Sequence, residues 1–352
     1  MRRTIAIALC TWMAGSAVAL AQSGYVTPKT PWGDPDLQGQ YTNKYEAMTP
    51  FERPKEFEGR RIEEVTAAEL AKAVERRQAD TLERAKFFGG DPEGRIGNSA
   101  EFRDIYEITK GSRPWFVVDP ADGAIPALRP EARARIAAQP RTGSFGNGPF
   151  NSHLDFSLWE RCITRGIPGS MLPGQYGNSY EIVQAPGVVA IRYEMIHETR
   201  VIPLDPSTLR EPQGRPEQGR RATDSGSSPA GSRGDGPAHA SSALRMDMGI
   251  ARGHWEGDTL VVETTNFKSR SAYRNANPDT LKLVERFKRT GPDRVEWSVT
   301  VDDPSTWTRA WTFSMPLTST DKEPVFEYAC HEGNHGITNI LSGARAAERE
   351  ER

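Results

Sequence analysis

The sequence predicts a mainly β protein: an antiparallel calycin- or lipocalin-like barrel carrying an N-terminal arm and a few short helices. Two observations lead there. From residue 179 onward the chain is a series of short runs rich in β-branched and aromatic residues, each alternating apolar with polar. Between most of them lie turn-forming connectors, "APG", "EGD", "TGPD" and "DDPS", short enough to make hairpins. Antiparallel meanders joined this way close into a barrel more readily than they form a Greek-key sandwich, which needs longer crossings. The β-sandwich is the alternative.

In chain order, "MRRTIAIALCTWMAGSAVALAQ" opens with two arginines before an apolar run, and Ala19-Leu20-Ala21 supplies a small-x-small cleavage pattern. Residues 1–21 are therefore expected to be a signal peptide cut after Ala21, which places the mature chain in the periplasm or outside the cell. Residues 22–150 read as an N-terminal arm with short helices packing on the barrel. "TAAELAKAVERRQADTLERAKFF" (66–88) is strongly helix-forming, with Thr66 as its N-cap, and "FVVDPADGAIPALRPEARARIAAQ" gives a short strand, a turn and a second short helix.

The barrel domain is expected over 151–345, with β runs at Tyr180–Gln184, Val188–Val201, Gly253–Thr265 (a hairpin turning at Glu256-Gly257-Asp258), Leu281–Thr290, Val295–Asp302, Thr308–Pro316 and Val325–Cys330. Residues 206–245, dense in Gly, Pro, Ser and Arg and lacking aromatics, read as a disordered insertion within it.

Strand alternation sorts side chains by face. In "VVAIRYEMIHETRV" it aligns His197 with Val189, Ile191, Tyr193 and Met195. In "LKLVERFKR" it sets Glu285 among Leu281, Leu283 and Phe287, and in "WTRAWTFSM" it aligns Arg309 with Trp307, Trp311, Phe313 and Met315. A charge on an apolar face must be paired or hydrogen-bonded. His197, Glu285, Arg309 and Trp311 thus read either as substrate-binding groups in a barrel cavity or as structural groups, Glu285 and Arg309 forming an ion pair.

A formal net charge of −2 supplies no polyelectrolyte field, so nucleic acid is not an expected partner. Nor does any stretch after the leader approach the ~18 apolar residues of a spanning helix, so membrane insertion is not expected. Of three cysteines only Cys162 and Cys330 follow the leader. Outside the reducing cytosol they read as one disulfide, a nucleophilic or metal-bound thiol being the alternative. Phosphate-loop, dinucleotide, haem and nucleophile-elbow motifs are all missing, so no cofactor is expected.

The blocks "SLWERCITRGIPGSMLPG", "RGHWEGDTLVVETTNF", "TVDDPSTWTRAWT" and "FEYACHEGN…NILSGAR" resemble, in this order, those of a family of secreted hypothetical proteins of Gram-negative bacteria. The likeness covers roughly residues 25–50 and 115–345. It implies export and a coherent fold but no reaction, and relative to it residues 206–245 look like an insertion.

His331-Glu332-Gly333-Asn334-His335 spells the H-E-x-x-H of zinc peptidases. That motif needs a helix to bring both histidines to one side. Gly333 and Asn334 are poor helix formers, "PVFEYAC" before them reads as a strand, and no third ligand follows at the expected spacing. A loop is expected instead, with no metal bound, and a zinc-dependent hydrolase is the less favoured reading.

A Cys162–Cys330 bond would crowd Trp159, Glu160, Arg161 and Arg165 against His331, Glu332, Asn334 and His335. His331, Glu332, Arg165 and Glu160 are then the candidate catalytic groups for proton transfer on a small oxygenated or aromatic molecule, in a lyase, isomerase or hydrolase. Trp159, Arg161 and Asn334 would bind the substrate. A non-catalytic binding protein for an apolar small molecule is the rival reading, and the sequence is silent on oligomeric state.

Overall fold

A computed structural model describes residues 25–88, 111–139, 148–174, 177–205, 244–320 and 324–350, with side chains omitted at 81–88. The expected signal peptide and all but the last two residues of the expected insertion lie outside these. The described chain is mainly antiparallel β. Its strands are β1 (Gly39–Thr42), β2 (Val117–Asp119), β3 (Ser179–Ala185), β4 (Val188–Tyr193), β5 (Thr199–Pro203), β6 (Ile250–Glu256), β7 (Thr259–Thr265), β8 (Lys282–Gly291), β9 (Arg294–Asp302) and β10 (Trp311–Ser319). They form one ten-stranded sheet in the order β5-β4-β3-β1-β10-β9-β8-β7-β6, with β2 also paired to β10. The ladder does not close.

The hairpins follow the local chemistry. Gly187 and Gly257 take positive φ in the turns joining β3 to β4 and β6 to β7, a conformation that costs glycine nothing. In β9, Val295, Trp297, Val299 and Val301 are buried and their neighbours are not, the pattern of a strand with one face on the core. Trp297 stacks on Phe287 of β8 at 6.3 Å and meets Phe313 of β10 edge-on at 5.6 Å, so three adjacent strands share one aromatic layer.

The sheet is strongly curled. Arg200 of β5 donates to Glu285 of β8 at 2.5 Å, although six ladder steps separate these strands. In a flat sheet strands six steps apart would lie about 29 Å from one another. The two ends of the sheet also touch: Leu204, just past β5, makes an isolated parallel bridge with Gly253 of β6, and the Asp205 amide donates to the Gly253 carbonyl at 2.8 Å. A Cβ on Gly253 would sit 2.8 Å from the Leu204 side chain, so the bare backbone permits that approach.

Five expectations are corrected here. Val188–Val201 is not one strand: the chain turns at Met195–His197, with Ile196 and His197 at positive φ. The turn shifts the alternation by one residue. Odd positions face inward in β4, whereas Arg200 and Ile202 face inward in β5. His197 consequently leaves the apolar face, is exposed, and its Nδ1 lies 3.2 Å from the Tyr328 carbonyl oxygen. Glu285 is fully buried, but its partner is Arg200 rather than Arg309. Arg309 precedes the β9–β10 ladder, so alternation does not govern it, and it pairs on the surface with Asp119 at 2.9 Å. Val325–Cys330 is not a strand: residues 325–329 are irregular and Cys330 opens a turn.

The arm does more than cover a surface. Its residues 39–42 form β1, which sits inside the sheet between β3 and β10. Gln184 of β3 fixes the arm just before it, accepting from the Leu37 amide at 2.6 Å and donating to the Pro35 carbonyl at 3.0 Å. Among the described residues there are three α-helices: α1 (Ala67–Phe88), α2 (Pro130–Ala137) and α3 (Gly336–Glu350). At the start of α1, Glu69 accepts from the Thr66 amide at 2.9 Å and Thr66 Oγ1 from the Glu69 amide at 3.3 Å, a capping box. None of the described helices is long and apolar enough to cross a membrane.

Removing one member of a buried ion pair typically costs about 3–5 kcal/mol, because the other is left charged and desolvated. Glu285→Leu should therefore lower the urea unfolding midpoint strongly, while Arg200→Met with Glu285→Leu should recover most of the loss. Equal damage in the single and double variants would show that the pair does not carry this stability.

Candidate functional site

A cleft of about 330 Å³ opens between two loop walls on one side of the sheet. The first wall is the segment 157–172. Ser157 and Glu160 cap each other: the carboxylate accepts from the Ser157 amide at 2.9 Å and its hydroxyl at 2.7 Å, and Ser157 Oγ accepts from the Glu160 amide at 3.2 Å. That turn leads into Cys162, whose backbone is left-handed at φ +54° and whose sulfur is bonded to Cys330, with Cα atoms 5.7 Å apart. Beyond it, Thr164 Oγ1 accepts from the Gly166 amide at 2.9 Å and donates to Glu198 at 2.7 Å. Burial raises the Glu198 pKa, opposed by that hydrogen bond and reinforced by the charge of Asp247.

The second wall follows β7. Arg270 is pinned by the carbonyls of Leu154 and Phe156 at 2.9 and 3.0 Å. Tyr273 rests on Trp311, 6.2 Å between centroids, and burial raises its pKa against the opposing charge of Arg274. Arg274 has φ +51° and Asn275 φ +58°, two successive non-glycine residues in the left-handed region. The Arg274 guanidinium lies 4.7 Å over Phe51 and 5.6 Å over Tyr273, and its Nε donates to the Tyr273 hydroxyl at 3.1 Å. The walls meet at Gly166, where a Cβ would lie 3.3 Å from the Ser271 carbonyl oxygen.

Arg165, Arg270 and Arg274 line the cleft together with Trp159 and Tyr273, and among the described residues no Asp or Glu lines it. Arg165 stacks 4.8 Å over the Trp159 ring. Guanidinium groups in a cleft without carboxylates favour a ligand with anionic oxygens, which they can grip in pairs of parallel hydrogen bonds.

The structure brings only part of the expected site together. Arg165 and Trp159 share the cleft. His331 and Glu332 do not line it: they sit exposed on a turn at Cys330–Gly333. Of the groups expected around the disulfide, Asn334 is close by: its Nδ2 lies 3.3 Å from the Glu160 carbonyl oxygen and 3.2 Å from Cys162 Sγ. Glu160 spends its carboxylate on its own turn, and Arg161 is half-buried outside the cleft lining. Trp311 is fully buried, edge-on to Trp307 at 5.7 Å and beneath Tyr273, so it supports the cleft from below.

H-E-x-x-H lies on a turn and not on a helix. Gly333 has φ +73°, and α3 starts only at Gly336, leaving His335 to accept from the Asn339 amide at 3.0 Å through its carbonyl. The two histidines are therefore not stacked one helical turn apart. Among the described residues no group of three or more His, Cys, Asp or Glu is placed to hold a metal ion.

Arg270, Tyr273, Arg274 and Glu198 were not singled out by the sequence reading. The available signal was the connector "NFKSRSAYRNANPDT" between β7 and β8, which is longer and more basic than a hairpin requires. Comparison of the chain with family models, curated proteins and solved structures finds no match in any of the three.

Two outcomes follow from this geometry. The disulfide spans 168 residues, and closing such a loop restricts the unfolded chain by about 5 kcal/mol. Cys162→Ser with Cys330→Ser should therefore melt on the order of 10 °C lower by calorimetry, and an unchanged melting temperature would show that the bond is dispensable. Glu198, with its folded pKa above the unfolded one, binds a proton more tightly when folded, so stability falls as pH rises from the unfolded pKa through the folded one. Glu198→Gln should accordingly be more stable than wild type near pH 7, with the difference vanishing toward pH 4. A difference independent of pH would mean that this carboxyl titrates normally.

Proposed function

We propose that the protein is an exported binding protein for a small, oxygenated organic anion, held in the arginine cleft beside a calycin-like barrel. The observation that carries this reading is the cleft itself: three arginines and two aromatic rings, with no carboxylate among the described residues of the lining. The barrel reading is supported by the curl that lets Arg200 reach Glu285 and by the Leu204–Gly253 bridge between the sheet's ends. Export is supported by the leader-like first 21 residues and by the disulfide. The resemblance to secreted proteins of Gram-negative bacteria agrees with both.

This departs from the apolar-ligand version of a binding protein. The barrel interior is filled by Trp297, Trp311, Phe287 and Phe313, all fully buried, whereas the cleft lies outside it between loops. Loops fixed on a rigid sheet are where binding groups concentrate. A nucleic acid is not the expected partner, since the chain's net charge is −2.

Proton-transfer catalysis is the second reading, and Glu198 is the observation that favours it. Its raised pKa suits a general acid or base, and it lies one hydrogen bond behind Thr164, which lines the cleft. On this reading Arg165 holds the anion and His331 and Glu332 take no part.

The test is a titration with benzoate and other aromatic and aliphatic carboxylates, followed by tryptophan fluorescence in wild type and Trp159→Phe. We expect saturable quenching in wild type that is reduced in Trp159→Phe, and affinity at least about tenfold weaker in Arg165→Ala, the scale of a charge-assisted hydrogen bond. Absence of saturable binding by any of these anions would refute the reading. Mass spectrometry of the bound ligands after prolonged incubation separates binding from turnover.

A further inference from the structure

Among the described residues, two of the cleft's cations have every contact with a neutral partner. Many of the described arginines pair with carboxylates, as Arg192 with Glu181, Arg286 with Glu256, Arg309 with Asp119, and Arg200 with Glu285 in the interior. Others, such as Arg129 and Arg289, donate to main-chain carbonyls. Arg270 and Arg274 likewise meet neutral partners but line a cleft. Arg270 donates only to two main-chain carbonyls, and Arg274 contacts a phenol oxygen and two ring faces. These contacts fix the position of each guanidinium without cancelling its charge, and ring stacking leaves the in-plane N–H edge available to an acceptor.

The backbone points the same way. Arg274 and Asn275 both sit in the left-handed region, a conformation that disfavours side chains other than glycine and that recurs at ligand sites where it aims a group. Arg165 approaches from the opposite wall, 4.8 Å above the Trp159 ring.

A ligand with one negative charge would leave at least one of Arg270 and Arg274 uncompensated. Building on the anion-binding reading above, we infer that the cleft selects small organic dianions over monoanions, with Arg270 and Arg274 setting the charge number and Arg274 acting as the chief specificity residue. The shared chemistry is two negative charges on a compact molecule, met equally by a dicarboxylate or a phosphate monoester.

The test compares benzoate, phthalate and phenyl phosphate, which hold the ring constant while the charge changes, by isothermal titration against wild type, Arg274→Gln and Arg270→Gln. Far-ultraviolet circular dichroism and melting establish that each variant is folded. Phthalate or phenyl phosphate should bind wild type at least about tenfold more tightly than benzoate, since one added charge-assisted contact is worth about that factor. Arg274→Gln should remove most of that preference, and Arg270→Gln should reduce it. If only one of the two dianions shows the preference, that one names the ligand type. Equal affinities for all three would overturn the dianion inference while leaving the anion cleft standing. Binding of none of them would overturn both. A preference that persists in both folded variants would remove Arg270 and Arg274 from the role assigned to them.

Discussion

The structure depends on a buried ion pair between strands that the sheet's order sets far apart. Arg200 and Glu285 are 4 % and 0 % exposed, and neither could stay ionised there without the other. Burial alone would push the Arg200 pKa down, but the charges and hydrogen bonds of Glu285 and Tyr193 together more than offset it. The same guanidinium donates to Thr264 of β7, and Glu285 accepts from the Trp297 indole of β9 at 3.3 Å. One polar node thus ties β5 to β7, β8 and β9. A sheet that uncurled would strand a charge in an aromatic layer, so curvature and charge satisfaction are one constraint.

Curvature in turn places the loops. The connection after β7 carries Arg270 to Arg274, and the segment before β3 carries Trp159 to Leu172. The walls approach closely enough for Gly166 to need its missing side chain. Each wall has its own anchor: the first is fastened by the disulfide and by Thr164 on Glu198, the second by Arg270 on the 154–156 carbonyls and by Tyr273 on Trp311. A binding surface whose groups are pinned before the ligand arrives loses less side-chain freedom on binding.

Legibility in the sequence follows physical locality. β9 reads cleanly because its alternation is uninterrupted, and Thr66 reads as a cap because the Thr66–Glu69 signature is local. Glu285 was legible as an anomaly, being a charge in an apolar phase, but its partner was not. The turn at Met195–His197 shifts the phase, and nothing short of the backbone angles says so. The same shift moved His197 out and Arg200 in. Helix α3 is also legible, since Ile337, Ile340, Leu341 and Ala344 recur at helical spacing. The cleft was half legible. Trp159 and Arg165 lie beside a cysteine that called attention to them, whereas Arg270 and Arg274 lie in a connector where no period operates and only the fold brings them across.

H-E-x-x-H shows why spacing alone does not specify a site. The letters match, but a zinc site needs the two histidines on successive turns of one helix, and here positive φ at Gly333 ends any such continuation before α3 begins. What the segment supplies instead is a fastening. Cys330 holds the first wall, and Asn334 reaches back to the Glu160 carbonyl. The neighbouring helix is tied through Arg345 to the carbonyls of Phe150 and Asn151. Those attachments fall on residues 150–162, the stretch whose Leu154 and Phe156 carbonyls also position Arg270. The C-terminal segment therefore bears on the cleft through the wall it braces, although none of its own side chains lines it.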